Sequence, residues 1–460
     1  MDSHATSIDE VDRRLPAGRT ALLGFQHVLV MYSACIVVPL ILGAALGLAR
    51  EQLVLIINAD LFAAGIASLV QSLGFFGFGM RMPVMMGVTF TAVTPMIAIG
   101  TTPSLGLPGV YGAIIASGIF GILAAPLMGR FLRFFPAVVT GSVLLVIGIS
   151  LMKVGIEWSA GGHPTLPDGS PNPRYGSPLY LGISLGVMAL ILLISRYGKG
   201  FFANVAVLLG VTAGFGAAWL CGEVDLGGLG AASWVAAIRP FAFGWPVFDP
   251  LAIASMCLVM VVTLVESTGM FLALGQIVER PTTPRRLVRG LRADGLGAVV
   301  GGVFNAFPYT SFSQNIGLVT LTGVKSRYVC AAAGVILILL GLFPKMAYIV
   351  AAMPPFVLGA AALVMFGMVA IMGVRILATV DFERGRGNAL VAAVSIGVGM
   401  IPLLSHTFFG QLPPWTRVVT DSGIILTTVT AIALNLLFNG VRSSDEANAD
   451  AARHAALADA

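Results

Sequence analysis

Long apolar runs alternate with short polar or Gly- and Pro-bearing connections from Ala21 to Leu437. A run of about 20 apolar residues crosses the hydrocarbon of a bilayer as a helix. Fourteen such runs can be delimited, at about 21–46, 53–77, 83–100, 109–128, 137–156, 178–196, 201–221, 249–277, 291–306, 310–323, 327–347, 353–376, 387–407 and 421–440. An even number puts both chain ends on one side. The pattern predicts an all-α membrane protein of about 14 transmembrane segments.

Two runs break the pattern. The third reads Met82-Pro83-Val84-Met85-Met86-Gly87-Val88-Thr89-Phe90-Thr91, and the tenth reads Phe307-Pro308-Tyr309-Thr310-Ser311-Phe312-Ser313-Gln314-Asn315-Ile316-Gly317. Both are short, with Pro, Gly, Ser, Thr and β-branched residues where a plain spanning helix carries Leu and Ala. Each is predicted as a half-helix preceded by a short extended strand. Non-helical backbone at membrane depth survives only against protein or water. Interrupted spans at matching places in two halves point to a transporter's binding site. The stretch Phe135-Pro136-Ala137-Val138-Val139-Thr140-Gly141 also matches Pro354-Pro355-Phe356-Val357-Leu358-Gly359, with Pro355 219 residues after Pro136. An offset of seven spans is odd, so the halves are predicted to be two inverted repeats of seven.

Composition agrees. The chain is 57% hydrophobic and 10% charged, against about 25% charged in soluble domains. A net charge of +5 raises the idea of a nucleic-acid partner, but the basic residues sit in short connections rather than on one polar face. With the N-terminus inside, 20 Lys and Arg fall in inner segments and 5 in outer ones. That asymmetry predicts cytoplasmic termini. The outer connections 157–177 and 222–248 are long enough to hold a short helix. No apolar region with a small-residue cleavage site precedes the first run, so no cleaved signal is expected. Cys35, Cys221, Cys257 and Cys330 lack metal-ligand spacing and read as small buried apolar residues. Neither a metal nor an organic cofactor is implied, and no nucleotide-binding loop, zinc-protease motif or nucleophile elbow is present.

Glu266 carries the most information, because no other charge lies between Asp249 and Glu279. A carboxylate at that depth is costly and marks function. It reads either as a proton-titrating solute ligand or as a neutral acid bonded to a neighbouring helix. Gln314 and Asn315 are adjacent amides in the interrupted tenth run, each offering a carbonyl and an NH₂. Gln314 suits paired hydrogen bonds to a planar amide-bearing ring, and Asn315 suits inter-helix bonding. Phe90, across the expected pocket, suits stacking on a flat ligand or plain packing. Asp294 is expected at the start of the ninth span, where a helix N-terminus favours a carboxylate. His27 is expected as a bonded interior histidine or a proton relay, and Lys153 as a side chain snorkelling to the interface.

Several stretches resemble the nucleobase–ascorbate transporter family, also called nucleobase:cation symporter-2. These are Gln314-Asn315-Ile316-Gly317-Leu318-Val319-Thr320-Leu321-Thr322-Gly323, Gln26-His27-Val28-Leu29, Glu266-Ser267-Thr268-Gly269 and Ala293-Asp294-Gly295-Leu296-Gly297. The resemblance covers about 20–440. It implies cytoplasmic tails at 1–20 and 441–460, a core domain at 21–128 and 249–347, and a gate domain at 129–248 and 348–440. It implies a homodimer in the inner membrane and a proton-coupled symporter without further cofactor. Glu266 and Gln314 would bond the base, Phe90 would stack, and backbone groups of Phe90 and Ser313 would add contacts. Asp294, His27, Asn315 and Thr322 would support the site or the proton path.

Thr89 and Met270 are assigned to specificity. Many family members carry Asp or His where this chain has Met270. Urate is mostly a monoanion at neutral pH and xanthine is largely neutral. Removing a second carboxylate from the pocket removes repulsion of an anion, so urate is expected, with xanthine, uracil and an anion transporter of the same architecture as alternatives. A receptor that binds without transport is a rival of another class.

Overall fold

Three of the long helices begin where a side chain caps them and a proline follows. Asp249 accepts from the amides of Leu251 and Ala252, Ser177 from Tyr180 and Thr283 from Arg286, and Pro follows each of the three caps. Such a cap satisfies leading N–H groups that have no intrahelical partner. In the computed structural model, which describes residues 9–440 apart from 167–168, 383–385, 406 and 414–415, the principal helices are fifteen. They are α1 (Ala17–Ala45), α2 (Arg50–Leu73), α3 (Val93–Gly100), α4 (Gly106–Ala124), α5 (Ala137–Ser159), α6 (Pro178–Tyr197), α7 (Ala206–Leu220), α8 (Pro250–Ile277), α9 (Pro284–Val303), α10 (Ser313–Thr322), α11 (Arg327–Gly341), α12 (Pro344–Ala351), α13 (Pro355–Leu377), α14 (Arg386–Leu404) and α15 (Gly423–Asn439). The expected tail 441–460 lies outside the described residues.

Fewer helices qualify as spans than the fourteen predicted. Among the described residues eight are long and apolar enough to cross a membrane, or nine if α11 and α12 count as one broken span bent by 80°. That bend divides the run expected at 327–347. The α9 helix starts at Pro284 rather than near 291, because the Thr283 cap draws the basic stretch into it. Neither long outer connection contains a helix among the described residues. The four cysteines are free, but Cys221 is exposed at the end of α7 rather than buried. Lys153 lies 3.9 Å from Glu157, one turn along α5.

Several helix pairs cross backbone to backbone, among them α2 with α11, α4 with α9 and α5 with α13. A Cβ on Gly65 of α2 would lie 2.6 Å from the Gly334 carbonyl of α11, and one on Gly334 would lie 2.9 Å from the Gly65 carbonyl. Gly118 of α4 and Gly295 of α9 stand in the same reciprocal relation, each at 2.7 Å. On α5 and α13, a Cβ at Gly141 would meet the Gly373 carbonyl at 3.0 Å. Lipid supplies no hydrophobic drive between helices, so small residues that permit close approach hold them together.

Two strands interrupt the helices. β1 (Met86–Val88) pairs antiparallel with β2 (Tyr309–Ser311), with Met86 opposite Ser311, Gly87 opposite Thr310 and Val88 opposite Tyr309. The Thr89 amide donates to the Pro308 carbonyl at 3.1 Å and the Phe312 amide to Met85 at 3.0 Å, extending the ladder at both ends. Gly87 leaves room for the Phe312 ring, which a Cβ there would approach to 2.3 Å.

The first described residues are also tied down. A short turn at Glu10–Asp12 buries Val11, and its acids and its Asp9 cap meet bases from two segments. Asp9 pairs with Arg280 at 3.1 Å and Asp12 with Arg280 at 3.2 Å. Asp12 also pairs with Arg327, whose guanidinium reaches the Ser72 and Leu73 carbonyls at the C-terminus of α2, each at 3.1 Å. A cation there satisfies carbonyls that lack helical partners.

Candidate functional site

The paired strands bring the two interrupted runs together, and α8 crosses beside them. Ser267 on α8 bonds to Thr310 on β2, Oγ to Oγ1, at 3.0 Å. The Ser311 hydroxyl lies 3.1 Å from the Met270 sulfur. Glu266 therefore projects from the turn of α8 that is bound to β2, and it is partly exposed while most of its neighbours on α8 are buried. Its carboxyl forms no hydrogen bond or ion pair among the described residues.

Past β2 the chain turns into α10, whose Phe312 N-cap supplies no side-chain bond to the leading amides. Ser313 is partly exposed and Gln314 exposed, and their side chains are 3.3 Å apart. Gly317 opens the same face one turn on, with nothing within 4 Å of where a Cβ would stand. Uncapped amides and an exposed carboxamide are donors and acceptors free to meet a polar solute.

Across the ladder, Thr89 is buried and caps the short turn Phe90–Ala92, accepting from the Thr91 amide at 3.3 Å. Its hydroxyl thus sets the direction of the turn that carries Phe90. The Phe90 ring is partly exposed and stands edge-on to Phe366 of α13, with centroids 5.5 Å apart and planes at 87°. That contact fixes the ring without covering it.

The remaining candidates form a supporting layer. His27 is buried in α1, where the Asn315 amide nitrogen lies 3.0 Å from its Nδ1 and 3.0 Å from its carbonyl. This joins α1 to α10 and makes His27 a bonded interior histidine. Asp294 lies well inside α9 rather than at its start, fully buried. It accepts from Gln71 Nε2 at 2.8 Å and stands beside Ser267, within electrostatic reach of Glu266. Thr322 is exposed at the far end of α10 and bonds within its own helix, to Leu318 at 2.7 Å.

Sequence reasoning missed two residues. Gln71 donates to Gly290 and Asp294 and accepts from the Met80 amide at 2.9 Å, tying α2, α9 and the segment before β1. Asp60, also on α2, is buried and accepts from Tyr309 of β2. An acid within the apolar run at 53–77 is the same signal that marked Glu266.

The geometry can bind a flat polar solute between an aromatic face, a carboxyl group, a carboxamide and the end of a helix. A family model described as Permease family matches residues 18–407. The uric acid transporter UacT of Escherichia coli is 52% identical over 433 residues, covering 94% of this chain and 88% of that protein. The xanthine permease of Bacillus subtilis is 44% identical over 422 residues, covering 92% and 94%. Among solved structures, the transmembrane domain of the cyanobacterial bicarbonate transporter BicA matches with a TM-score of 0.59 at 17% identity, covering 92% of this chain and 99% of that one. At that identity the likeness concerns the fold alone.

Proposed function

The chain belongs to this Permease family, the nucleobase:cation symporter-2 transporters that its motifs resemble, and from that premise we propose that it is a proton-coupled symporter importing urate. The observation that carries the reading is the convergence of Glu266, Gln314 and the Phe90 ring around the ends of one strand pair. Phe90 stacks on the purine, Glu266 and Gln314 bond its edge, and the leading amides of α10 meet its carbonyl oxygens or negative charge. A helix N-terminus favours an anion, which suits urate. Met270, beside Ser311, keeps a second carboxylate out of the pocket. UacT is named for uric acid, which supports the same choice. Xanthine is the second reading, because a relative named for it shares 44% identity.

Fourteen segments in two inverted repeats of seven remain the best description of the architecture. An offset of seven exchanges α2 with α9 and α4 with α11. The glycine contact of α2 with α11 then maps onto that of α9 with α4. The pair α5 with α13, each starting just after Pro136 or Pro354, maps onto itself. So does the ladder of β1 with β2, whose antiparallel register suits a two-fold axis. Segments one to four and eight to eleven form the core domain, at 21–128 and 249–347. The gate domain comprises 129–248 and 348–440. Phe90 against Phe366 is a contact across the two, where one body would slide on the other during alternating access. Glu266 takes up the coupling proton with the solute and releases it inside, while Asp294 and the pair of His27 with Asn315 hold the surrounding helices. The protein is assigned to the inner membrane as a homodimer with cytoplasmic termini. Uptake of radiolabelled urate by cells expressing the chain tests this. Accumulation that collapses with a protonophore is expected, and no uptake of any purine would overturn it.

A further inference from the structure

A third carboxyl group, beside Glu266 and Asp294, lies inside a long apolar helix and has no part in the transport scheme above. Asp60 lies midway along α2 and is 1% exposed. The Tyr309 hydroxyl donates to its Oδ1 at 2.8 Å and lies 3.0 Å from its main-chain carbonyl. Its Oδ2 has no hydrogen-bond partner among the described residues. Tyr309 is itself fully buried and forms the first residue of β2, opposite Val88 of β1. A buried acid of this kind is costly and needs a reason.

We propose that Asp60 is a positioning residue for transport, anchoring the strand pair to α2 through the Tyr309 hydroxyl. The inference rests on the purine-transport reading. Tyr309 is fixed on one side to Val88 and on the other leads through Ser311 into Ser313 and Gln314. Its neighbour Pro308 accepts from the Thr89 amide, the last residue before Phe90. Beside the Ser68 bond to the Met86 amide and the Ser267 bond to Thr310, this anchor therefore acts on both backbones that carry the solute ligands. Releasing it leaves the ladder and the bonds of Ser267 to Thr310 and of Ser68 to the Met86 amide in place, but loosens the Tyr309 end of the pair and with it the strand ends that carry the ligands. Ligands held within a fraction of an ångström bind best when their supports are locked, so the loss falls on affinity.

The test is uptake kinetics for Tyr309→Phe, Asp60→Asn, Asp60→Ala and the double variant Tyr309→Phe/Asp60→Ala, each normalised to protein in the membrane. Tyr309→Phe deletes one oxygen and should raise the KM for urate by about three- to tenfold, the effect of one buried hydrogen bond, with Vmax little changed. Asp60→Asn keeps an acceptor oxygen and should restore near wild-type KM and pH profile. Asp60→Ala should match Tyr309→Phe, and the double variant should be no worse than either. Should Asp60→Ala fail to fold, Tyr309→Phe and Asp60→Asn decide the matter between them. An unchanged KM in Tyr309→Phe overturns the inference. So does an Asp60→Asn protein that exchanges urate but no longer accumulates it, since that makes Asp60 a proton carrier. A wild-type chain that takes up neither urate nor xanthine sinks the purine reading itself, whereas wild-type uptake beside an unaltered Tyr309→Phe sinks only this proposal.

Discussion

Glu266 is the only Asp, Glu, Lys or Arg in α8, and its proposed role can be split into binding and coupling. Glu266→Gln keeps a carbonyl for the solute but carries no exchangeable charge. The variant should retain urate exchange across vesicle membranes while proton-driven accumulation falls to background, and full accumulation would remove Glu266 from the mechanism. Phe90→Ala removes the stacking face, a contact worth about 1–3 kcal/mol per base. Its KM should rise about tenfold or more, and Phe90→Tyr should recover most of the loss. Met270→Asp returns a carboxylate next to Ser311 and should shift the urate-to-xanthine preference toward xanthine; an unchanged ratio in competition uptake contradicts the Met270 argument. These three residues were legible in the sequence because each breaks a local rule: a charge in an apolar run, an aromatic in an interrupted one, a gap in a motif. Gln71 was not, since its importance comes only from folding beside Asp294. Asp60 carried the same signal as Glu266, but the run around it is otherwise an unremarkable span.

At the scale of elements, hydropathy locates helices while caps and glycines set their ends and contacts. Hydropathy alone starts the ninth segment near 291, yet Thr283 and Pro284 begin α9 earlier and so move Asp294 from a helix end into the interior. The strand pairing across more than two hundred residues was readable only as two matching interruptions, because register depends on backbone partners that sequence spacing does not contain. Gly118→Val should lower the unfolding midpoint in detergent, as overpacking costs about 1–3 kcal/mol and the obstacle is the Gly295 backbone. Gly216→Ala in α7, with nothing within 4 Å, is the control expected to stay unchanged. The N-terminal turn gives a pH-dependent test. Burial opposes the charge on Asp12, but the Arg327 hydrogen bond and the Arg280, Arg327 and Arg81 charges outweigh it and hold its carboxyl below the ordinary value. Such a group adds stability above the unfolded carboxylate value, about 3.9, and loses it as pH falls through the lower folded value. Asp12→Asn should therefore reduce the unfolding midpoint at pH 7, by the modest amount of a partly exposed pair, and narrow its difference from wild type as the pH is lowered toward 3.

For the whole molecule, the proposed repeat puts one site where two half-sites meet. A cleft of about 440 Å³ lies apart from it, lined by Arg50, Tyr180, Glu223 and Asp225 among others. There Arg50 bonds to Asp225 at 2.9 Å and to Tyr348 at 3.1 Å, which ties the start of α2 to the connection after α7. A moving core must break or carry such ties, and they are weak enough to do so, since exposed ion pairs contribute about 1 kcal/mol or less. The glycine contacts of α2 with α11, of α4 with α9 and of α5 with α13 each lie within one proposed body, whereas Gly112 against the Val247 backbone joins the two. The central claim is that this arrangement uses a proton gradient to accumulate urate. Uptake of radiolabelled urate and xanthine into cells expressing the chain, with and without a protonophore, tests it most directly. Urate should accumulate in preference to xanthine and the accumulation should collapse with the protonophore. Uptake that persists undiminished without the proton gradient would contradict proton coupling, and indifference to both purines would contradict the assignment of the site.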